Sequence, residues 1–233
     1  MDLKDAITSR YSARKFTDRP VARSTIARIL DLARHTASWC NTQPWQLVIT
    51  SGDATDRFRE AIWTHAASGN PPAPDFPFPP RYEGVYQQRR KVCGVQLYES
   101  IGVTRDDKLG AMKQMLENFR FFEAPHVALL TTEEALGFYG GVDCGLFINS
   151  FMLAARSLGV DCIAQAALAS YPDFIRTYFG LPENRNWFAA FPSAMRMPPT
   201  RSTTIGRNEW RSKTCCAGKS DEVVWCPANS LIK

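Results

Sequence analysis

Residues 139–158 constrain the fold more than any other part of the chain. Gly140-Gly141-Val142-Asp143-Cys144-Gly145-Leu146-Phe147-Ile148-Asn149 runs straight into Ser150 to Ala155. As a helix, the stretch is apolar on nearly every side, and such a helix must be covered all round. A chain of 233 residues with 45% hydrophobic content can build a sizeable core. In a protein this small, an interface between subunits is a natural place for such a helix. One globular domain, alone or with arms, is therefore expected.

Capping and periodicity signals order the rest. Residues 2–10 read as a short helix, and Ser24 reads as the cap of a second helix whose Ile26, Ile29, Leu30 and Ala33 recur at helical spacing. Trp45 to Thr50 reads as a buried strand closed by Ser51-Gly52, followed by a helix over 53–66. Helices are expected at about 86–101 and 106–122, and strands at His126 to Thr131 and from Gly159 to about Ala164. Ser170-Tyr171-Pro172-Asp173 has the composition of a helix start. Six prolines with Phe76, Phe78, Tyr82 and Tyr86 crowd the stretch from Gly69 to Tyr86, which excludes regular structure. That stretch is either a surface connector or a lid whose rings cover a flat ligand.

Charge and cysteines narrow the function classes. The net charge of +5 sits almost entirely in residues 186–233, where seven Lys/Arg against three acids leave +4. No zinc-finger spacing or RNA-binding aromatic signature accompanies it, so a nucleic-acid partner is not expected. The amino terminus has no charged-then-apolar leader pattern, and no uninterrupted apolar run nears the roughly 18 residues of a membrane span, so no membrane role and a cytoplasmic location are expected. Seven cysteines without metal-ligand spacing agree with a reducing compartment and imply no metal site.

Two polar clusters flank the second helix. Arg10-Tyr11-Ser12-Ala13-Arg14-Lys15-Phe16 places two rigid donor forks four residues apart around a hydroxyl, which suits one anion. Ser38-Trp39-Cys40-Asn41-Thr42-Gln43-Pro44-Trp45 offers amides that both donate and accept, which suits the edge of a heterocycle. Taken alone, the first is also what a solvated basic turn looks like, and the second is an ordinary loop signal. Together they suit a phosphorylated, planar ligand rich in acceptors.

With Asn118-Phe119-Arg120-Phe121-Phe122-Glu123-Ala124-Pro125-His126, Asp143-Cys144-Gly145 through Ala155, and Gln165-Ala166-Ala167-Leu168, these clusters occur in an order that resembles the FMN-dependent nitroreductase family, closest to its nitrobenzoate-reductase branch. The resemblance covers roughly residues 3–185. It implies an α+β fold, a three-layer α/β sandwich with a central, mostly antiparallel sheet flanked by helices, assembled as a homodimer with FMN in each of two interfacial clefts. It implies that Arg10, Ser12 and Arg14 hold the phosphate, ribityl chain and pyrimidine edge, with Tyr11 contributing mainly through its backbone. Ser38 and Trp39 would approach the flavin from the second subunit, and Asn41 and Gln43 would position that loop or reach the ring. Asn118 would bond the ring or ribityl chain, and backbone groups around Gln165 and Ala166 would address its N5 or carbonyl side.

The activity so implied is ping-pong transfer of hydride from NAD(P)H through flavin N5 to a nitroaromatic or similar small aromatic acceptor, with no catalytic side chain. Phe76, Phe78, Tyr82 and Phe122 are candidates for stacking on the acceptor. Quinones, free flavins or halogenated aromatics are alternative acceptors, and an impaired product is a further alternative because of the carboxy-terminal segment.

From Asn186 the resemblance stops. The family pattern continues with a glycine-rich strand and an arm carrying a phosphate-binding arginine, whereas the chain reads Trp187-Phe188-Ala189-Ala190-Phe191-Pro192. Pairing the last base of each codon with the first two of the next turns Asn186-Trp187 into leucine and Trp187-Phe188 into valine. Continued, it permits L-V-C-G-I-S-F-G-Y-A-D-A. Residues 1–185 are thus expected to form the FMN-binding domain, with a lid at about 67–86. Residues 186–233 are expected to be an aberrant, poorly ordered tail translated out of frame.

Overall fold

Alternation along β1 (Gln46–Ser51) decides the layers. The computed structural model describes residues 1–195 and 224–226. Within it β1 pairs antiparallel with β2 (His126–Glu133), setting Val48 opposite Leu129 and Leu47 opposite Leu130. Val48, Val127 and Leu129 point to one face, and Leu47, Ile49, Ala128 and Leu130 to the other. That is the period-two pattern of a sheet buried on both sides.

On the first face lie α3 (Gly52–Ala67) and α7 (Pro172–Phe179), which contribute Phe58, Ile62 and Ile175 and enclose Tyr11, Phe16 and Phe121. On the second lie α2 (Arg23–Ala33) and α6 (Gly137–Ser157), with Ile29, Phe147, Phe151 and Ala155 inward. The short α1 (Leu3–Ser9) packs on α6. The sheet is completed by β3 (Val160–Cys162), β4 (Arg185–Met195) and β5 (Val224–Cys226) in the order β3-β4-β2-β1-β5, and every pairing is antiparallel. The three-layer α+β expectation holds.

The long apolar helix lies where its composition requires. By length and composition the segment 134–157, with a mean hydropathy of 1.2, matches a membrane span, but half of it is buried inside the fold. The two charged residues within α6, Asp143 and Arg156, are both buried with polar partners. Packing in the second layer accounts for its inward apolar face.

Four boundaries differ from the sequence reading. Ser24 lies inside α2, whose N-cap is Ala22 and has no side-chain cap. The helix expected to run to 122 ends as α5 (Lys108–Leu116), because Phe121, Phe122 and Glu123 all take positive φ (57°, 51° and 65°), a handedness that no α-helix continues. β3 stops at Cys162, two residues early. The expected tail begins inside the sheet, since residues 185–195 form β4 alongside β2; the rest of that segment, apart from 224–226, lies outside the described residues. Neither α4 (Gly84–Ser100) nor α5 carries a buried residue, although Leu116 at the end of α5 packs against the first-face core.

Candidate functional site

The Arg10–Phe16 segment follows α1 and runs beside the sheet's first face, anchored by buried Tyr11, Ala13 and Phe16. Between these anchors the polar side chains stay partly open. Arg10 lies close to Cys162 of β3, and Lys15 lies close to Glu117. Gln165, 2% exposed, donates from Nε2 to Asn118 O (3.2 Å) and Oδ1 (3.0 Å), and Asn118 Nδ2 donates to Met115 O at 2.8 Å. Arg10, Ser12, Arg14, Asn118, Gln165 and Ala166 therefore share one neighbourhood.

Its electrostatics are those of an anion site. Burial pushes the pKa of both Arg10 and Arg14 down, because desolvation disfavours the guanidinium charge. Arg14 donates to Ser12 O at 3.3 Å and, among the described residues, meets no carboxylate. The Gln165 Oε1 is buried and accepts from no group among the described residues. Ala164 and Ala166, on either side of Gln165, are exposed. A desolvated cation and an unused acceptor flanked by exposed residues fit a ligand with a phosphate at one end and a hydrogen-bonding ring edge at the other.

The second cluster is elsewhere. Trp39 N donates to both oxygens of Asp143 (3.0 and 3.1 Å), and Thr42 Oγ1 donates to the same carboxylate at 3.4 Å. Ser38 Oγ accepts from Gln43 N at 2.9 Å, and Gln43 Nε2 donates to Asn41 Oδ1 at 3.0 Å. Cys40, Asn41 and Gln43 hold φ of 49°, 55° and 47°, backbone that non-glycine residues rarely adopt outside functional loops. Trp39 is 63% exposed and stacks on Tyr139 at 5.3 Å. Asp143 sits near the start of α6, whereas Arg156, which reaches Ser9 beside the first cluster, sits at its end. At 1.5 Å per residue the two anchor points are about 20 Å apart along one helix. The structure keeps the two clusters of one chain apart.

The nitroreductase family profile matches residues 7–195, through β4. The chain belongs to the nitroreductase family. Nitroreductase NfnB of Mycolicibacterium smegmatis is 35% identical over 180 residues, covering 77% of this chain and 76% of the relative. Nitrobenzene nitroreductase of Ectopseudomonas oleovorans is 30% identical over 186 residues, covering 78% and 82%. A crystal structure of the FMN-dependent NfnB from Mycobacterium smegmatis in complex with NADPH superposes with a TM-score of 0.77 at 31% identity, covering 88% of this chain and 97% of that one.

In this nitroreductase the aromatic candidates divide. Phe122 is fully packed in the core below the sheet and is withdrawn as an acceptor contact. Its left-handed turn is held by Arg59, which donates to Arg120 O at 3.0 Å and to Ala124 O at 2.5 Å. Phe78 and Tyr82 are both 41% exposed, Phe76 is half-buried, and Arg90 lies over the Tyr82 ring at 5.2 Å. The proline-rich stretch is irregular up to α4 and tethered at its base. Ala73 N donates to Ser170 O at 2.9 Å, and Arg176 grips Asp75 with two bonds of 2.7 and 3.1 Å. Asp75→Asn should therefore leave the core intact but loosen this base, and limited trypsin digestion should cut after Arg81 several-fold faster. Unchanged cleavage would mean that the pair does not restrain the segment.

Glu117 supplies a pH-dependent check on this neighbourhood. Burial raises its carboxyl pKa above the usual value, against the smaller opposing pull of Arg120. A folded-state pKa above the unfolded one means that ionisation costs stability, and this cost is absent at low pH and appears as pH rises through the carboxylate range. Glu117→Gln should raise the melting temperature at pH 7–8, and the difference should vanish below about pH 4, near the ordinary glutamate pKa. A gain that persists at low pH would contradict the electrostatic cause.

Sequence reasoning passed over Asp143, Arg156 and Asp161 as individual site residues. Charged residues inside an otherwise apolar helix were the available signal, because burial of an ion is costly unless its partners are fixed.

Proposed function

We propose that two copies of this chain bind FMN between them and carry out ping-pong reduction of nitroaromatic or similar acceptors by NAD(P)H. As a member of its family the chain is an NAD(P)H-dependent nitroreductase with FMN as cofactor. Arg14 is the observation that carries the reading: a desolvated cation with no carboxylate among the described residues. Arg10, Ser12 and Arg14 would hold the phosphate end. The exposed Ala164 and Ala166 and the unused Gln165 acceptor would face the ring.

The 38–43 loop, held about 20 Å away along α6, would complete the site of a second copy. When bound, FMN would accept a hydride from NAD(P)H and hand reducing equivalents to the acceptor. No side chain is required to donate a proton or attack; the protein's share is placement and exclusion of water. Phe76, Phe78 and Tyr82 would act as the aromatic cover. A cytoplasmic setting, where NAD(P)H is supplied, belongs to the same reading.

The purified protein should be yellow and dimeric, should oxidise NAD(P)H faster when a nitroaromatic is added, and should give parallel double-reciprocal lines as donor and acceptor are varied. A colourless protein that takes up no added FMN overturns the flavin reading, and intersecting lines overturn the ping-pong order.

A further inference from the structure

The two immediate neighbours of Arg10 are tied to one buried ion pair. Arg156 Nη1 meets Asp161 Oδ1 at 2.6 Å, with both side chains 3% exposed. Arg156 Nε donates to Ser9 Oγ at 2.9 Å, and its guanidinium carbon lies 5.9 Å from the centroid of the Tyr11 ring. The Tyr11 hydroxyl points to Asp161 Oδ2 at 3.4 Å. Arg10 thus lies between two residues tied to this pair, beside the strand that carries Asp161.

The other end of α6 repeats the device with a single carboxylate. Asp143 is buried, and among the described residues no cation pairs with it; its hydrogen bonds come from Trp39 N and Thr42 Oγ1. A carboxyl group withdrawn from water without a cation is expensive, and donated hydrogen bonds are what keep it there. Those same bonds hold a loop whose Cys40, Asn41 and Gln43 are left-handed.

We infer that the Arg156–Asp161 pair and Asp143 are positioning residues for opposite ends of a flavin mononucleotide, the pair setting the phosphate end in its own subunit and Asp143 setting the ring-side loop offered to a second copy. The inference rests on the flavin reading above, and its test separates the two. Dissociation constants are measured by flavin fluorescence for FMN and for riboflavin, which lacks the phosphate, on the wild type, Asp161→Asn, Ser9→Ala, Asp143→Asn and Thr42→Val.

Asp161→Asn should weaken FMN about tenfold and riboflavin far less, since a misplaced arginine loses charge-assisted bonds only to phosphate. Ser9→Ala, which removes one hydroxyl, should move the FMN-to-riboflavin ratio the same way by about threefold. Asp143→Asn and Thr42→Val should weaken both ligands by a common factor. Equal losses of both ligands in Asp161→Asn or Ser9→Ala, or a changed ratio in Asp143→Asn or Thr42→Val, would overturn the assignment. If Asp161→Asn does not fold, the ratio in Ser9→Ala decides. A wild type that binds neither ligand refutes the flavin reading, and the assignment with it.

Discussion

Leu146→Glu should leave the protein monomeric and colourless, if two copies share the flavin as proposed. α6 presents Phe138, 77% exposed, together with exposed Tyr139, Val142 and Leu146, to the outside of the subunit, and Trp39 extends this apolar stripe. Residues 138, 142 and 146 recur every four positions and so share one face of the helix. A soluble chain rarely leaves so continuous an apolar surface uncovered.

In a two-fold dimer each substitution enters the interface twice. Losing two buried leucines, at about 1.5–3 kcal/mol each, and burying two unpaired carboxylates should weaken association by several kcal/mol, at least a thousandfold. Because the 38–43 loop of each copy would serve the other copy's cofactor, flavin content should fall with dimer content. Light scattering with absorbance detection reads both at once. A Leu146→Glu protein that stays dimeric removes α6 from the interface, and a monomer that keeps its flavin shows that one chain suffices.

Arg14→Met should lower FMN affinity about a hundredfold while leaving the cofactor-free protein no less stable. The guanidinium would make charge-assisted hydrogen bonds worth about 1.5–3 kcal/mol to the bound cofactor, and methionine preserves most of the aliphatic packing. Since burial already disfavours the Arg14 charge in the fold, its removal relieves a desolvation cost in the empty protein. Opposite responses of binding and unmodified stability mark a ligand site; a core residue would lose both. Titration of FMN and a thermal melt without flavin check the two halves. A melting temperature that falls as far as the affinity does would make Arg14 structural.

Much of the architecture could be read from the chain because its signals were local and repeated. Leu47-Val48-Ile49 and the His126 strand declared a sheet covered on both sides, and the apolar run at 139–158 declared a central helix. The Arg10–Phe16 and Gln165–Ala166 motifs were legible as chemistry, and the fold unites them. What the sequence hid depends on long-range context. Phe122 looks like a free aromatic in a polar stretch, but the left-handed turn at 121–123 drives it inward, and Arg59, over sixty positions away, helps to hold that turn. Asp143 and Arg156 gained meaning only when α6 was seen to carry the two clusters at opposite ends. Residues 185–195 lack the expected motif and nonetheless form β4 alongside β2, a pairing that no local signal announced.

Pro192 lies within β4 opposite Val127, and proline brings no N–H to a ladder. This interior strand therefore has one donor fewer, three residues before its end. Beyond it only Ser193–Met195 remain, and β3, at the margin of the sheet, is bonded to those three residues alone within it. The zipper thus has a weak tooth just before the stretch that carries Asp161 and Cys162. Amide protons at 160–162 should exchange with solvent sooner than those of β1 and β2, and the seat of Arg10 should be the first part of the sheet to come undone.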